Sequence, residues 1–294
     1  MSRAWLVAAM VGVCVSAALG RGSPHADRMI ADLRADGFRW NAIDANHELR
    51  TMADPPIDAL GRALDSEDWQ QRQMAADVLW WCIHPPAWAE RDAVGEATPR
   101  LLEVTVEGLR HDGFPTHWVG EEYTYTYVFN ASRGFRMLVL HAHEARGLLE
   151  AGLESGDVQQ RFLCALALGF GGVGESAPVA APVLLPHLRD NDIREDAKWV
   201  VAALYRFGPA VLPMLREALP GADEQQQSLL QLLILDLTDP PAPGEDPERV
   251  GLNKITRTVF DPAVNPPRDD WMGWVGDLRR VAELRGVERA PESD

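Results

Sequence analysis

Along residues 53–237, apolar positions recur mostly at three- and four-residue intervals, the spacing of one face of an α-helix. Ala75, Val78, Leu79 and Cys82 follow that spacing, while residues 162–170 (FLCALALGF) are apolar all round, as expected of a helix enclosed by neighbours. Two stretches depart from it. Residues 123–127 alternate tyrosine and threonine with period two, which predicts an extended strand. Residues 240–267 hold seven prolines and few apolar runs, which predicts an extended segment. At the other end, residues 4–19 form an apolar run behind a single charge, Arg3.

The helical part repeats. Asp68–Leu79 (DWQQRQMAADVL) and Asp157–Leu168 (DVQQRFLCALAL) are identical at six of twelve positions, including the whole D-x-Q-Q-R. Asp223-Glu-Gln-Gln-Gln227 echoes the motif, and Asp190-Asn-Asp-Ile-Arg194 lies between, so the acids at 157, 190 and 223 are 33 residues apart each time. A period of this length means one helical hairpin per repeat. Each acid is placed to cap the second helix of its hairpin, where the positive end of the helix favours it. Arg161, one turn on, is placed to pair with Asp157. First helices are visible too: Pro182–Leu188 corresponds to Pro213–Leu219, and Pro56–Leu64 precedes Asp68. Proline is tolerated in a first turn, where no amide bond is lost, and kinks a helix deeper in.

A proline-bearing first helix, a turn with aspartate, and a second helix reading V-x-x-R-x-x-A-A-x-x-L resemble the HEAT-repeat family. The resemblance covers residues 53–84 and 144–237, and more loosely 97–142. Ala197-Lys198 stands where the alanine pair belongs, and Gln227 replaces the arginine. The resemblance implies an all-α, right-handed α-solenoid of about five to seven hairpins (armadillo-like) and protein–protein binding as its use.

Asp68 and Asp157 are 89 residues apart, so about 23 residues are inserted into the 33-residue period. Residues 84–90 and 111–127 can absorb them, and both are rich in aromatics. Insertions in repeat proteins collect on one edge, and aromatic rings give contact area at low entropy cost. Trp88, Trp118, Tyr123 and Tyr125 are therefore the expected partner-binding residues. The structural alternative is that the aromatics of residues 69–135 plug the insert onto its own hairpins.

Charge and compartment narrow the partners. Lys+Arg is 28 against Asp+Glu 44, a net charge of −16, which disfavours nucleic acid and anionic lipid. Only Lys198 and Lys254 are lysines, a usage that, with the many alanines, glycines and prolines, fits a GC-rich bacterial genome. Residues 1–20 read as a signal peptide with Ala18-Leu19-Gly20 at the cleavage site, too short to span a bilayer, so a periplasmic or secreted protein with no membrane insertion after cleavage is expected. Cys82 and Cys164 sit in apolar helical stretches and read as buried thiols, not a bridge.

Candidate chemistry is sparse. Gly169-Phe-Gly-Gly-Val-Gly174 reads as G-x-G-x-x-G, but it follows a helix instead of a strand, so a turn is expected. His111, His117, Glu121, Glu122, His141 and His143 are zinc-type ligands within 33 residues. Yet His141 and His143 differ by two positions where a helix is expected, which points them apart, and His143-Glu144 reads as the loop into the first helix of the Asp157 repeat. No nucleophile elbow is present. The expected organisation is a signal peptide (1–20), a HEAT-like helical repeat domain (21–238), and an extended segment (239–294). The last would end in a helix with Trp271, Trp274, Val275, Leu278 and Ala282 on one face, covering the open end of the repeats. The expected function is an exported, non-catalytic, protein-binding scaffold without cofactor. The alternatives are an exported metal-dependent hydrolase, or a carbohydrate-binding module holding a polysaccharide, either one using residues 111–143.

Overall fold

The computed structural model describes residues 24–34, 39–85, 92–110, 129–188 and 196–239. These residues are all-α, with no strand among them. The signal-peptide reading, the 123–127 alternation, the Asp190 turn, the proline-rich segment and the terminal helix all fall outside the described residues. Two compact units divide between Thr105 and Val106.

The first unit holds α1 (Pro24–Asp32), α2 (Arg39–Thr51), α3 (Ile57–Ala63) and α4 (Trp69–Ile83), followed by the start of α5 (Pro99–Gly108). Helices α1 and α2 pack as one pair and α3 and α4 as the next; α1 also packs on α3, and α2 on α4. Leu33, Leu49, Leu60, Leu64 and Trp80 are the fully buried large side chains between them. The pair α1/α2 lies upstream of the region where the repeat was legible.

The second unit holds α6 (Phe129–Leu140), α7 (Arg146–Leu153), α8 (Val158–Phe170), α9 (Ala177–Leu184), α10 (Asp196–Arg206), α11 (Leu212–Ala218) and α12 (Glu224–Thr238). Consecutive helices α7/α8, α9/α10 and α11/α12 pair. First helices pack in a row, α7 on α9 and α9 on α11, and second helices in another, α6 on α8, α8 on α10 and α10 on α12. This explains why α8 is apolar all round. Residues 164–170 are all buried, because α8 is covered by α6, α7, α9 and α10 together.

The D-x-Q-Q segments fold as expected and then do more. Asp68, Asp157 and Asp223 are the N-caps of α4, α8 and α12, accepting from the backbone N–H of Gln71 at 2.9 Å, Gln160 at 2.7 Å and Gln226 at 3.0 Å. Each such cap is worth about 1 kcal/mol. The Ser66 and Ser155 hydroxyls in turn accept from the amides of Asp68 and Asp157. Arg161 takes a different acceptor from the one its spacing suggested: its guanidinium donates to the Ser155 carbonyl at 2.5 Å, as that of Arg72 does to Ser66 at 2.8 Å. Arg72 also reaches the Glu67 carbonyl, five residues back, at 3.1 Å. Gln227, too short to reach six back, donates to Ala222, five back, at 2.9 Å. The third repeat thus keeps its register with a shorter side chain.

The first helices need one correction. Helix α9 starts at Ala177, so Pro178, not Pro182, matches Pro213 of α11. Pro182 falls inside α9, where it has no N–H for the carbonyl one turn back. The α-helix gives way to a 3-10 turn at Leu185–His187 carrying Pro186, as α11 does at Leu219–Gly221 carrying Pro220.

The glycine run is a helix ending. Helix α8 stops at Phe170, Gly172 takes φ +69°, and Val173 N–H reaches back to the Leu168 carbonyl at 3.0 Å. Gly169 lies against α10 so closely that a Cβ there would stand 2.7 Å from Ala203 Cβ and 2.8 Å from its carbonyl oxygen. No nucleotide-binding strand precedes these glycines; a helix does.

Candidate functional site

The residues expected to bind a partner, Trp88, Trp118, Tyr123 and Tyr125, lie outside the described residues, as do His111, His117, Glu121 and Glu122. Other aromatics of the same stretch are described, and they serve the core. Trp80 is 1% exposed, with its indole N–H donating to Thr105 Oγ1 at 2.8 Å, and Phe135 packs edge-on against Phe170. Both contacts run between described helices and involve no residue of the insert. Trp81 is half-buried beneath the Arg50 guanidinium, whose carbon is 5.2 Å from the ring centre.

His141 and His143 sit in a turn (141–145) that leads into α7, which fits the loop reading of His143-Glu144 and not the helix expected at His141, because α6 ends at Leu140. His141 Nδ1 meets Glu144 at 2.9 Å, while His143 is exposed. Among the described residues no group of His, Cys, Asp or Glu is placed to hold a metal ion. Cys82 and Cys164 are buried and neither is in a disulfide. Burial pushes the Cys164 thiol up to about 12, against a smaller opposing pull from Arg110. A thiol held so firmly protonated is not a nucleophile at neutral pH.

What the repeats do bring together is a glutamine device. Gln71 donates its side-chain amide to the Ile30 carbonyl at the end of α1 at 2.6 Å, and its Oε1 accepts from Arg34 Nε at 3.3 Å. In the second unit Gln160 donates to the Val106 carbonyl at 2.8 Å and accepts from Arg110 Nε at 2.9 Å. In both, the arginine stands four residues after the carbonyl, Ile30/Arg34 and Val106/Arg110. Gln226 reaches the Leu185 carbonyl at 3.5 Å, and the residue four after Leu185 is again an arginine, Arg189. Gln226 is the looser case because its Oε1 turns back to the Asp223 N–H, closing a capping box. The motif was visible in the sequence; this use of its second glutamine was not.

One cleft of about 310 Å³ lies in the first unit between α1, α3 and the turn before α4. Arg34, Arg62, Asp27, Asp65, Ser66 and Gln71 supply its polar lining, and Ile30, Ala59 and Ala63 its floor. Arg100 Nε bonds Asp65 at 2.9 Å, and its Nη1 bonds Glu103 at 2.7 Å. The hydrogen bond to Glu103, with a smaller share from Asp65, holds the Arg100 guanidinium above its ordinary pKa. Asp27 occupies the first turn of α1, where the helix dipole favours it. Arg62 makes no ion pair among the described residues, and Arg34 bonds Gln71 through its Nε.

No helix among the described residues is long and apolar enough to cross a membrane. No protein-family model matches the chain, and no curated protein matches it.

Proposed function

We propose that the chain is an exported, non-catalytic scaffold of the HEAT-repeat type that binds another protein. The observation that carries this reading is the two-row packing within the second unit. First helices α7, α9 and α11 follow one another in one row, and second helices α8, α10 and α12 in the other. That arrangement, with aspartate caps at the start of α8 and α12, is what an α-solenoid of hairpins requires. Such stacks present extended faces that hold partners. The apolar run of residues 4–19 supports export to the periplasm or beyond. The aromatic insert, with Trp88, Trp118, Tyr123 and Tyr125, is the proposed contact surface.

The test is crosslinking and recovery of the tagged protein from its own cells, beside a Trp88→Ala/Trp118→Ala/Tyr125→Ala variant. Envelope proteins retained by the wild type and lost in the variant, each identified by mass spectrometry, are the expected result. Retention of the same proteins by both moves the contact to the helical faces. Recovery of no specific protein overturns the scaffold reading and favours the hydrolase or polysaccharide alternative.

A further inference from the structure

The α1/α3 cleft sets two arginines, Arg34 and Arg62, beside two aspartates, Asp27 and Asp65, in a chain of net charge −16. Asp65 is engaged by Arg100, which Glu103 shares, while Arg34 and Arg62 make no ion pair among the described residues. The arginine at its edge is positioned by the fold. Gln71 is 5% exposed and holds Arg34 by Nε, so the two terminal nitrogens of Arg34 keep their donors. The recurrence of the same hold between Gln160 and Arg110 in the second unit shows that this orientation is a property of the repeat, not of one surface side chain. A guanidinium with its terminal nitrogens available is matched in shape to a carboxylate, which it binds through two parallel hydrogen bonds.

We infer that this cleft binds a carboxylate-bearing peptide segment of the partner protein, through Arg34 and Arg62. The rest of the lining selects a peptide over a simple anion. Asp27 repels a doubly charged phosphate but accepts from a peptide N–H, and Ser66 offers a hydroxyl beside it. The apolar floor of Ile30, Ala59 and Ala63 suits the aliphatic stem of a glutamate or the chain beside a C-terminus. This inference rests on the scaffold reading for the identity of its ligand as part of a protein.

The test is fluorescence anisotropy of the full chain with two labelled probes at low salt. One is a capped peptide of consecutive glutamates, carrying side-chain carboxylates only; the other is a glycine peptide with a free C-terminus. Saturable binding of either probe, weakened tenfold or more by Arg62→Gln and by Arg34→Gln but unchanged by Arg216→Gln on exposed α11, is the expected result. Which probe binds tells a side-chain carboxylate from a terminal one. Melting curves of the two cleft variants, expected to match the wild type for Arg62→Gln, separate lost binding from lost folding. Equal affinity in wild type and both variants, or no saturable binding of either probe, overturns the inference. So does full displacement of the probe by inorganic phosphate at matched ionic strength, which would make the cleft a simple anion site. If neither probe binds while the crosslinking comparison still retains its partners, the cleft falls and the scaffold stands. Probe binding without any retained protein has the opposite meaning.

Discussion

Gln71 donates its side-chain amide to the Ile30 carbonyl, 41 residues earlier, at 2.6 Å. That contact ties the second helix of one pair, α4, to the end of the first helix of the pair before it, α1. Gln226 spans the same 41 residues to Leu185 in the second unit, and Gln160 spans 54 to Val106, with the insert between. One side chain therefore caps a helix end, orients an arginine and sets the register between neighbouring pairs.

Removing this amide is expected to cost more than removing a surface residue. Gln160 is 2% exposed, and Gln160→Leu leaves the buried Val106 carbonyl without that donor, a loss of about 1–3 kcal/mol. Gln226→Leu gives up a 3.5 Å contact and a 3.3 Å capping-box bond, both longer than those of Gln160, and should cost less. Urea denaturation of the two variants checks the order. Combined with Arg110→Leu, the Gln160 change should be non-additive by about 0.5 kcal/mol or more, since the two side chains share a hydrogen bond.

Gly169 on α8 and Gly171 just past its end set how near α10 and the 141–145 turn approach. A Cβ on Gly171 would overlap the Ala142 methyl, and one on Gly169 would meet the Ala203 backbone. Each alanine substitution is expected to destabilise by roughly 1–3 kcal/mol. Gly156→Ala, with nothing within 4 Å, should be neutral. Ala142→Gly in the Gly171→Ala background should recover much of the loss, whereas Gly169→Ala has no such rescue because its obstacle includes backbone. Melting temperatures of the set decide this.

The Arg50 and Asp77 pair is the ionic element most enclosed by the first unit. Asp77 is 6% exposed by side chain, accepts from Arg50, and also from Asn46 Nδ2 at 3.2 Å. Arg50→Met strips the guanidinium from a buried carboxylate and from the Trp81 face together, and a loss of about 3–5 kcal/mol is expected. Arg50→Met with Asp77→Leu should be much nearer the wild type, because the uncompensated charge is gone. Equal damage in the single and the double variant would contradict this reading.

Burial of Cys164 makes stability depend on pH at the alkaline end. The unfolded chain ionises this thiol near its ordinary value of 9.0, while the folded chain keeps the proton up to about 12. The advantage this gives the folded state is whole below pH 9.0 and is lost as pH rises through that window. The wild type should therefore lose stability relative to Cys164→Ala between pH 9.0 and about 12. A gap between the two that stays constant with pH would contradict it. Native protein should also resist thiol alkylation at this position at pH 8, with the reaction appearing on denaturation.

What could be read from the sequence was what is local in it. Asp68, Asp157 and Asp223 cap helices through amides three residues away, so a short motif carries the whole device. The helical ending at Gly169–Gly174 was legible for the same reason. The glutamine contacts were not, since the carbonyls of Ile30, Val106 and Leu185 are 41–54 residues distant and leave no trace beside the motif. The start of α9 was misplaced by one turn because Pro178 and Pro182 both fit the start of a helix, and only packing chose the first. Helices α1 and α2 lack the D-x-Q-Q-R and went unseen, and with them the cleft that Arg34 and Arg62 line. The proposed contact residues Trp88, Trp118, Tyr123 and Tyr125 rest on composition and spacing alone.

The central claim, binding without catalysis, is tested most directly with a partner recovered by crosslinking, purified and mixed with the purified chain. Calorimetry gives the stoichiometry, and intact-mass spectrometry follows the partner over many hours. The expected result is saturable binding at a constant stoichiometry, weakened in the Trp88→Ala/Trp118→Ala/Tyr125→Ala variant, with the partner's mass unchanged. A change in the partner's mass that scales with catalytic amounts of the chain would contradict it and make the protein an enzyme.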